Sequence, residues 1–445
     1  MNGPVCAVWP PARAPRRWPA SARLAAIVGA LALLGARAAG AAPPTLNGHV
    51  EYETFGYPDS EAQADRWENF FAATVRGRGD IAPTLSWQFE GRAVADDAQF
   101  TAGAWSVRNE GRQRPYLSLI TALLDYRPLP EVRLTVGTQS LNWSVFDAIG
   151  PANVITPADQ SDAFRRIEQG VPSVAVRYGI DSTFAELVVV PLAFTPSRLP
   201  QHRWDIIQGD DIIEPQDMPP VQFDETQAAA RIGTRLGALD VCLLGYVGRD
   251  ADAIFVPGPL ILTGIVNGSP QFKAQIIDTY SQLRTGGLNA SYPVGDRVLL
   301  RTEAVYYNSP DRNHDDFVHT AAGIEYALDD WRIVLNYLRD DNAIAAPEEV
   351  TNKGERRFFQ SFIFGETRYD AGGRLRGRVR GGYDINGEFA LAEPELSYRV
   401  WQRLWVTLLG NVTGVGRASY TSNKTSYFTS IRHEDRLGTR IEYDF

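Results

Sequence analysis

Cysteine is nearly missing from this chain, with two in 445 residues, Cys6 and Cys242. Cys6 falls in the leading segment and Cys242 stands alone on an extended stretch, so no internal disulfide framework holds the fold. Long hydrophobic runs are missing too. After residue 42 no apolar stretch approaches the roughly 20 residues a membrane helix needs, so any crossing of a bilayer is left to strands. Lysine is scarce, at Lys273, Lys353 and Lys424 only, and the other basic residues are arginines. The five histidines, at positions 49, 202, 314, 319 and 433, contain no His-x-x-x-His spacing, and His314 and His319 sit beside Asp315 and Asp316 in a polar stretch. No Gly-rich phosphate loop occurs. The reading that follows is not an enzyme, with no metal, no cofactor and no nucleic-acid partner.

The two ends carry addresses. Arg13, Arg16, Arg17 and Arg23 precede the apolar run Leu24–Leu34, and Ala39-Gly40-Ala41 follows as a small-residue cleavage site. Residues 1–42 therefore read as a secretory signal peptide and 43–445 as one large domain. The leading segment holds five arginines and no acid, so the formal −9 of the whole chain becomes −14 without it. At the other end, Leu437, Thr439, Ile441, Tyr443 and Phe445 share one face of an extended strand, and Arg436, Gly438, Arg440, Glu442 and Asp444 share the other. An apolar face running to the last residue frays in water. In a closed barrel it is needed, because the last strand must pair with the first. This ending resembles the terminal signal of bacterial outer-membrane barrels, with Ile441, Tyr443 and Phe445 as the residues the barrel-assembly machinery reads.

Between the ends, strand follows strand, and the connections alternate between very short and long. Asp80–Ala82, Pro128–Pro130, Asp181-Ser182, Val294-Gly295, Asp329-Asp330, Ala371-Gly372 and Trp401-Gln402 are short turns, and Asn386-Gly387 is a two-residue hairpin signal. Asp96–Arg112, Ser144–Gly170, Ala193–Asp224, Ala251–Gln275 and Val415–Arg432 are long. The division includes single strands over Glu131–Trp143 and Ile276–Pro293. It yields about 18 strands, or 16 if boundaries merge, an even number with both termini on the short-turn side, which is the layout of a transmembrane antiparallel up-and-down β-barrel. The expected surroundings are outer-membrane lipid and lipopolysaccharide; the oligomeric state is left open.

Strand faces assign the charges. In Arg374-Leu375-Arg376-Gly377-Arg378-Val379-Arg380 the four arginines share one face. Each Arg facing mid-bilayer lipid costs about 2–4 kcal/mol, so the arginines must face a lumen. The same parity sends Arg76, Arg78, Arg92, Arg133, Arg231, Arg235, Arg297, Arg301, Arg436 and Arg440 inward with Glu90 and Glu303, and sends Phe71, Val136, Ile324, Leu335, Tyr337 and Leu408 toward lipid. Glu366, Glu393 and Glu395 flank the Arg374–Arg380 row and could pair with it as ladders. The long segments hold acidic clusters, Asp96-Asp97, Asp210-Asp211, Asp315-Asp316 and Glu348-Glu349.

One constellation is distinctive: Gly137-Thr138-Gln139-Ser140-Leu141-Asn142-Trp143, then Phe146, Asn153, Pro157-Ala158-Asp159 and Arg165. It resembles a family of uncharacterised proteobacterial outer-membrane proteins in which a Gly-x-Gln strand ends in Trp-Gly and continues into an Asn-Pro-x-Asp loop; here Ser144 replaces the Gly and Thr156 precedes the Pro. The Arg-rich lumen resembles, more loosely, that of the 18-stranded alginate-export porins. These resemblances imply an outer-membrane channel or exporter. Pro151 and Pro157 stiffen a segment long enough either to fold into the pore, where it supplies a constriction of Asp147, Asp159, Asp162, Arg165 and Arg166, or to stand as an ordered extracellular loop. The apolar run Ile254–Leu262 is unusual for an exposed loop and suits a gate, a partner surface or a lengthened hairpin. The resulting expectation is a channel or exporter for anionic solutes or an acidic saccharide, set against a non-conducting barrel that scaffolds a secretion or surface complex.

Overall fold

The computed structural model describes residues 43–58, 66–98, 100–103, 112–147, 150–162, 164–191, 195–198, 212–213, 216–220, 222–266, 269–311, 316–341, 361–385, 389–415 and 435–445. The leading segment 1–42, Asp210-Asp211, Glu348-Glu349, Asn386-Gly387 and all of Val415–Arg432 but its first residue lie outside them.

The wall begins with β1 (Thr45–Gly56), β2 (Trp67–Ala82), β3 (Leu85–Asp96), β4 (Leu117–Leu129) and β5 (Val132–Gln139). A small hairpin off the wall, β6 (Ala158–Asp162) and β7 (Arg165–Glu168), separates these from β8 (Val171–Ile180) and β9 (Thr183–Val190). Two short pieces, β10 (Ile212–Ile213) and β11 (Gln216–Asp217), precede β12 (Gln227–Leu236) and β13 (Leu239–Arg249). Next come β14 (Ile254–Pro257), β15 (Ile261–Val266) and β16 (Ser269–Thr279), which form a separate sheet with β10 and β11. The wall then runs without interruption through β17 (Gln282–Val294), β18 (Val298–Asn308), β19 (Phe317–Leu328), β20 (Trp331–Asp341), β21 (Ser361–Asp370), β22 (Leu375–Asp384), β23 (Phe389–Trp401), β24 (Leu404–Val415) and β25 (Arg436–Asp444).

Eighteen of these strands make one sheet whose neighbours are all antiparallel, and β25 closes it against β1 from His49↔Asp444 to Gly56↔Leu437. Closure reaches the last residue: Gly48 N–H donates to the Phe445 carbonyl at 3.1 Å and Phe445 N–H donates back to the Gly48 carbonyl at 2.9 Å. No strand edge is left for solvent or lipid. The turns on the short side are tight enough to put Asp181 (φ 51°) and Asp329 (φ 48°) in the left-handed region, which Asp tolerates better than most residues.

The alternation along each strand is inverted relative to a water-soluble barrel. Tyr52, Phe71, Val136, Ile324, Leu335, Tyr337, Leu408, Ile441 and Tyr443 are exposed on the outside, whereas Glu51, Glu53, Thr74, Asp125, Glu303 and Thr407 are buried inside. That is the arrangement a barrel needs when its outer solvent is hydrocarbon.

Two expected strands are shorter in the structure. The strand expected over Glu131–Trp143 stops at Gln139: Gly137 sits at φ 134°, where an added Cβ would lie 2.1 Å from the Ala122 carbonyl, and the chain beyond it turns off the wall. The strand expected over Ile276–Pro293 is broken. Ile276–Thr279 belong to β16, and the wall strand begins at Gln282, after Ser281 has accepted a hydrogen bond from Asp250 N–H at 2.8 Å. The Ile254–Leu262 run supplies β14 and the start of β15, which pair with β16 beyond the wall, with Leu260 and Leu262 exposed.

Gly48 tests the closure. A Cβ there would lie 2.3 Å from the Thr74 carbonyl and 2.7 Å from the Phe445 ring, so Gly48→Leu forces the closing strands apart. The expected cost is about 1–3 kcal/mol, read as a lower urea midpoint of the refolded barrel and a smaller fraction of compact, heat-modifiable protein in electrophoresis. An unchanged midpoint would show that closure does not depend on this contact.

Candidate functional site

After Gln139 the chain leaves the wall and crosses the lumen, rejoining the wall at Val171. Four wall side chains hold the first part of this segment by its backbone. Asn289 Nδ2 donates to the Trp143 carbonyl at 2.8 Å, an Arg301 guanidinium N–H to the Val145 carbonyl at 2.8 Å, and the Tyr307 hydroxyl to the Pro151 carbonyl at 2.7 Å. Glu303, midway along β18, accepts from Val145 N–H and from Ala152 N–H, the latter at 3.0 Å. The segment's buried Leu141, Trp143, Ala152 and Ile155 pack on an apolar inner patch that includes Ala175, Val188, Ala229, Leu244 and Val305. Phe146 packs against Ala321, Leu338 and Phe362 on another part of the wall.

The β6–β7 hairpin docks against the strands that close the barrel. Asp162 takes a bidentate contact from Arg436, at 2.9 and 3.0 Å. The Arg436 guanidinium is stacked over Phe55 at 4.1 Å and lies 4.9 Å from the Phe164 ring. Arg165 contacts Glu53, stands 3.8 Å from Glu51 and covers the Phe70 ring at 3.7 Å. Arg92 reaches Glu51 at 2.7 Å and Arg440 contacts Glu53. Asp159 is buried between Arg114 at 2.8 Å and Arg198 at 3.7 Å, and it also accepts from Ser161 N–H at 3.0 Å. At the other side of the segment, Asp147 lies 2.5 Å from Arg332 and 3.6 Å from Arg301. Of the five residues expected at a constriction, Asp147, Asp159, Asp162 and Arg165 are thus held in ion pairs within the barrel, and Arg166 is exposed beside them.

Electrostatics explain why a segment this polar stays docked. Burial pushes the Asp159 carboxyl up, but the Arg114 and Arg198 guanidinium groups and the hydrogen bonds from Arg114 and Ser161 more than offset it and hold the carboxyl well below the usual carboxylate range. Asp147 follows the same pattern: burial raises its pKa, and Arg332 and Arg301 bring it below the ordinary value. A carboxylate depressed in the folded state contributes stability that is complete above its unfolded pKa and is lost as pH falls through its folded pKa.

The inward arginines are for the most part paired. Arg76 meets Glu90 at 3.0 Å, Arg133 meets Asp125 at 2.5 Å, Arg231 meets Glu186 at 2.5 Å and Arg235 meets Asp240 at 2.6 Å. Within the row on β22, Arg376 meets Asp370 at 2.9 Å and lies over Trp405, Arg378 meets Glu395 at 2.5 Å, and Arg380 contacts Glu393 and donates to the Phe164 carbonyl at 3.3 Å. Glu366 lies opposite Arg380 in register but pairs with Arg368 on its own strand. Arg78 donates to Thr45 Oγ1 at 3.3 Å. Arg297 and Arg374 are not on the wall: they lie in the turn before β18 and the bend before β22, exposed at the short-turn rim. Arg114, Arg198, Asn289, Tyr307 and Arg332 escaped the sequence reading. The first two sit in long connections with no periodicity, but Val188-Val189-Val190, apolar on both faces of β9, is a signal that the inner wall there is covered.

Two outcomes follow for the segment. Asp162→Ala removes the bidentate partner of the buried Arg436, leaving it Glu68 at 3.8 Å, and is expected to destabilise docking by about 1–3 kcal/mol, seen as trypsin cleavage after Arg165 or Arg166 in protein that is resistant with Asp162 present. Because Asp159 and Asp147 ionise at unusually low pH, protection of residues 140–170 in rate-corrected hydrogen exchange is expected to hold from pH 7 to about pH 4.5, whereas loss of protection at ordinary carboxylate values would show that these pairs do not hold it.

No protein-family model matches the chain, and no curated protein matches it in sequence. Among solved structures, it is similar to Acinetobacter baumannii OccAB4, at 11% identity and TM-score 0.48 over 91% of this chain and 99% of that one. It is similar also to Pseudomonas aeruginosa OccK7 (OpdD), at 12% identity and TM-score 0.46 over 92% and 99%. A third is Salmonella typhi OmpF in complex with daunomycin, at 11% identity and TM-score 0.42 over 90% and 97%.

Proposed function

We propose that this protein is an outer-membrane channel that conducts anionic small solutes or an acidic saccharide through a lumen lined by arginines and narrowed by residues 140–170. The observation that carries the reading is the closed 18-strand wall with its charge turned inward around an inserted segment. A scaffold for other proteins has no need of a charged interior, whereas a water-filled lumen with low-dielectric walls focuses the field of such groups on a passing ion. Guanidinium groups would hold a carboxylate transiently by paired N–H donors. Most of the wall arginines share their charge with a carboxylate, so the preference for anions rests on those that do not: among the described residues Arg78, Arg177 and Arg399 on the wall, and Arg166 on the inserted hairpin, have no ion-pair partner. Ile441, Tyr443 and Phe445, facing outward on the closing strand, would serve insertion into the membrane.

A second reading is favoured by one observation. The inserted segment is tethered at both of its ends by buried ion pairs and backbone hydrogen bonds, which suits a barrel that does not conduct and instead presents its long connections to a surface complex.

Single-channel recording of the refolded 43–445 protein under a KCl gradient separates the two. The expected result is a steady conductance with a chloride-favouring reversal potential. Replacing Arg378 and Arg380 by Gln removes the contact to Glu393 and leaves Glu395 with Arg440 at 3.8 Å, and is expected to move the reversal potential toward potassium. Folded protein without conductance would overturn the channel and point to a plugged or scaffolding barrel.

A further inference from the structure

Four residues on adjacent strands form one row across the inner wall on the short-turn side of the inserted segment. Arg133 of β5 lies directly opposite Arg177 of β8, Arg177 opposite Glu186 of β9, and Glu186 opposite Arg231 of β12. Like charges directly opposite one another destabilise a sheet, and here three cations have one carboxylate within the row and a second, Asp125, beside it. The carboxylates that could relieve the row are spoken for. Glu186 turns to Arg231 at 2.5 Å, and Asp125 binds Arg133 at 2.5 Å. Arg177 has no carboxylate among the described residues; its guanidinium rests on the Phe184 ring at 3.8 Å. Arg133 Nε is buried without a hydrogen-bond partner.

The row opens on a cavity of 190 Å³ lined by Arg133, Arg177, Arg231, Glu186 and, from the inserted segment, Asn142 and Trp143. Its walls are set. Trp143 is buried, with Arg231 at 4.9 Å from its ring, and Asn142 is turned to Glu168 at 3.4 Å. Arg177 therefore brings donors that no carboxylate holds, and beside it stands Arg133, whose partner Asp125 is shared with Arg127 at 3.5 Å and whose Nε is unmatched. The volume is a little above that of the ~150 Å³ cavity that holds a benzene molecule.

Resting on the channel reading, we infer that this cavity is a binding site for a small dianion, a C4-type dicarboxylate or orthophosphate, held between Arg177 and Arg133 beside the inserted segment. Two guanidinium groups at adjacent cross-strand positions suit two oxyanion groups or one phosphate. A chain of sugar acids exceeds the space. Arg127, Arg133, Arg177 and Arg231 stand against the two carboxylates Asp125 and Glu186, and the bound dianion offsets that surplus, which is the source of its affinity.

The test is titration calorimetry of the refolded, detergent-solubilised 43–445 protein with succinate and with orthophosphate, read beside the conductance of the same preparation. Saturable binding of either probe is expected, weakened about tenfold or more by Arg177→Gln and only partly restored by Arg177→Lys, which keeps the charge and loses the paired donors. Glu186→Gln removes the one carboxylate of the row and is expected to tighten binding several-fold, a gain that misfolding does not imitate. The relative affinity of the two probes assigns the ligand within the class. No binding of either probe, or binding that neither variant alters, overturns the site. A conducting protein that binds neither probe loses the site and keeps the channel, whereas a protein that binds succinate without conducting keeps the site and loses the channel.

Discussion

Everything in this structure depends on one demand: in hydrocarbon, backbone N–H and C=O groups find no water, so each must be paired within the protein. The reciprocal hydrogen bonds between Gly48 and Phe445 complete that pairing where the two ends of the sheet meet. Once the sheet is closed, each strand has a lipid face and a lumen face, and the chemistry of all other residues is sorted by it. Apolar residues go out, and the charges have only the interior left.

The interior then acquires its own problem. Arginines brought together inside a narrow, low-dielectric space repel one another unless carboxylates stand between them, and the structure meets this by cross-strand and along-strand pairing, as in Arg378 with Glu395 and Arg380 with Glu393. The inserted segment joins the same network. Asp162 satisfies Arg436, Arg165 satisfies Glu53, and Asp159 satisfies Arg114 and Arg198. Where the network falls short, at Arg177 between the paired Arg133 and Arg231, a surplus of positive charge faces an open cavity. The same electrostatic rule that fixes the segment in place thus also leaves a site for an anion.

The inserted segment also gives the barrel something like a conventional core. Leu141, Trp143 and Ile155 on one side, Phe146 on another and Phe164 beside Phe55 and Phe389 bury apolar surface against inner-wall patches. Apolar contact sets the position of the segment and ion pairs fix its register.

Strand number, order and facing were legible in the chain, because a period of two needs only neighbouring residues to be read. The closing strand was legible for the same reason, and so was the inward direction of Arg376, Arg378, Arg380, Arg436 and Arg440. What the sequence by itself determined, then, is the wall: which residues face lipid, which face the lumen, and that the two ends must meet. The tertiary structure alone decided what fills the lumen and which charges remain unpaired. Asp162 and Arg436 are 274 residues apart, and Phe164 and Arg380 216, so their meeting depends on closure bringing β25, β22 and the 140–170 segment to one place. Local periodicity carries no trace of a contact that exists only after the sheet has curled through eighteen strands.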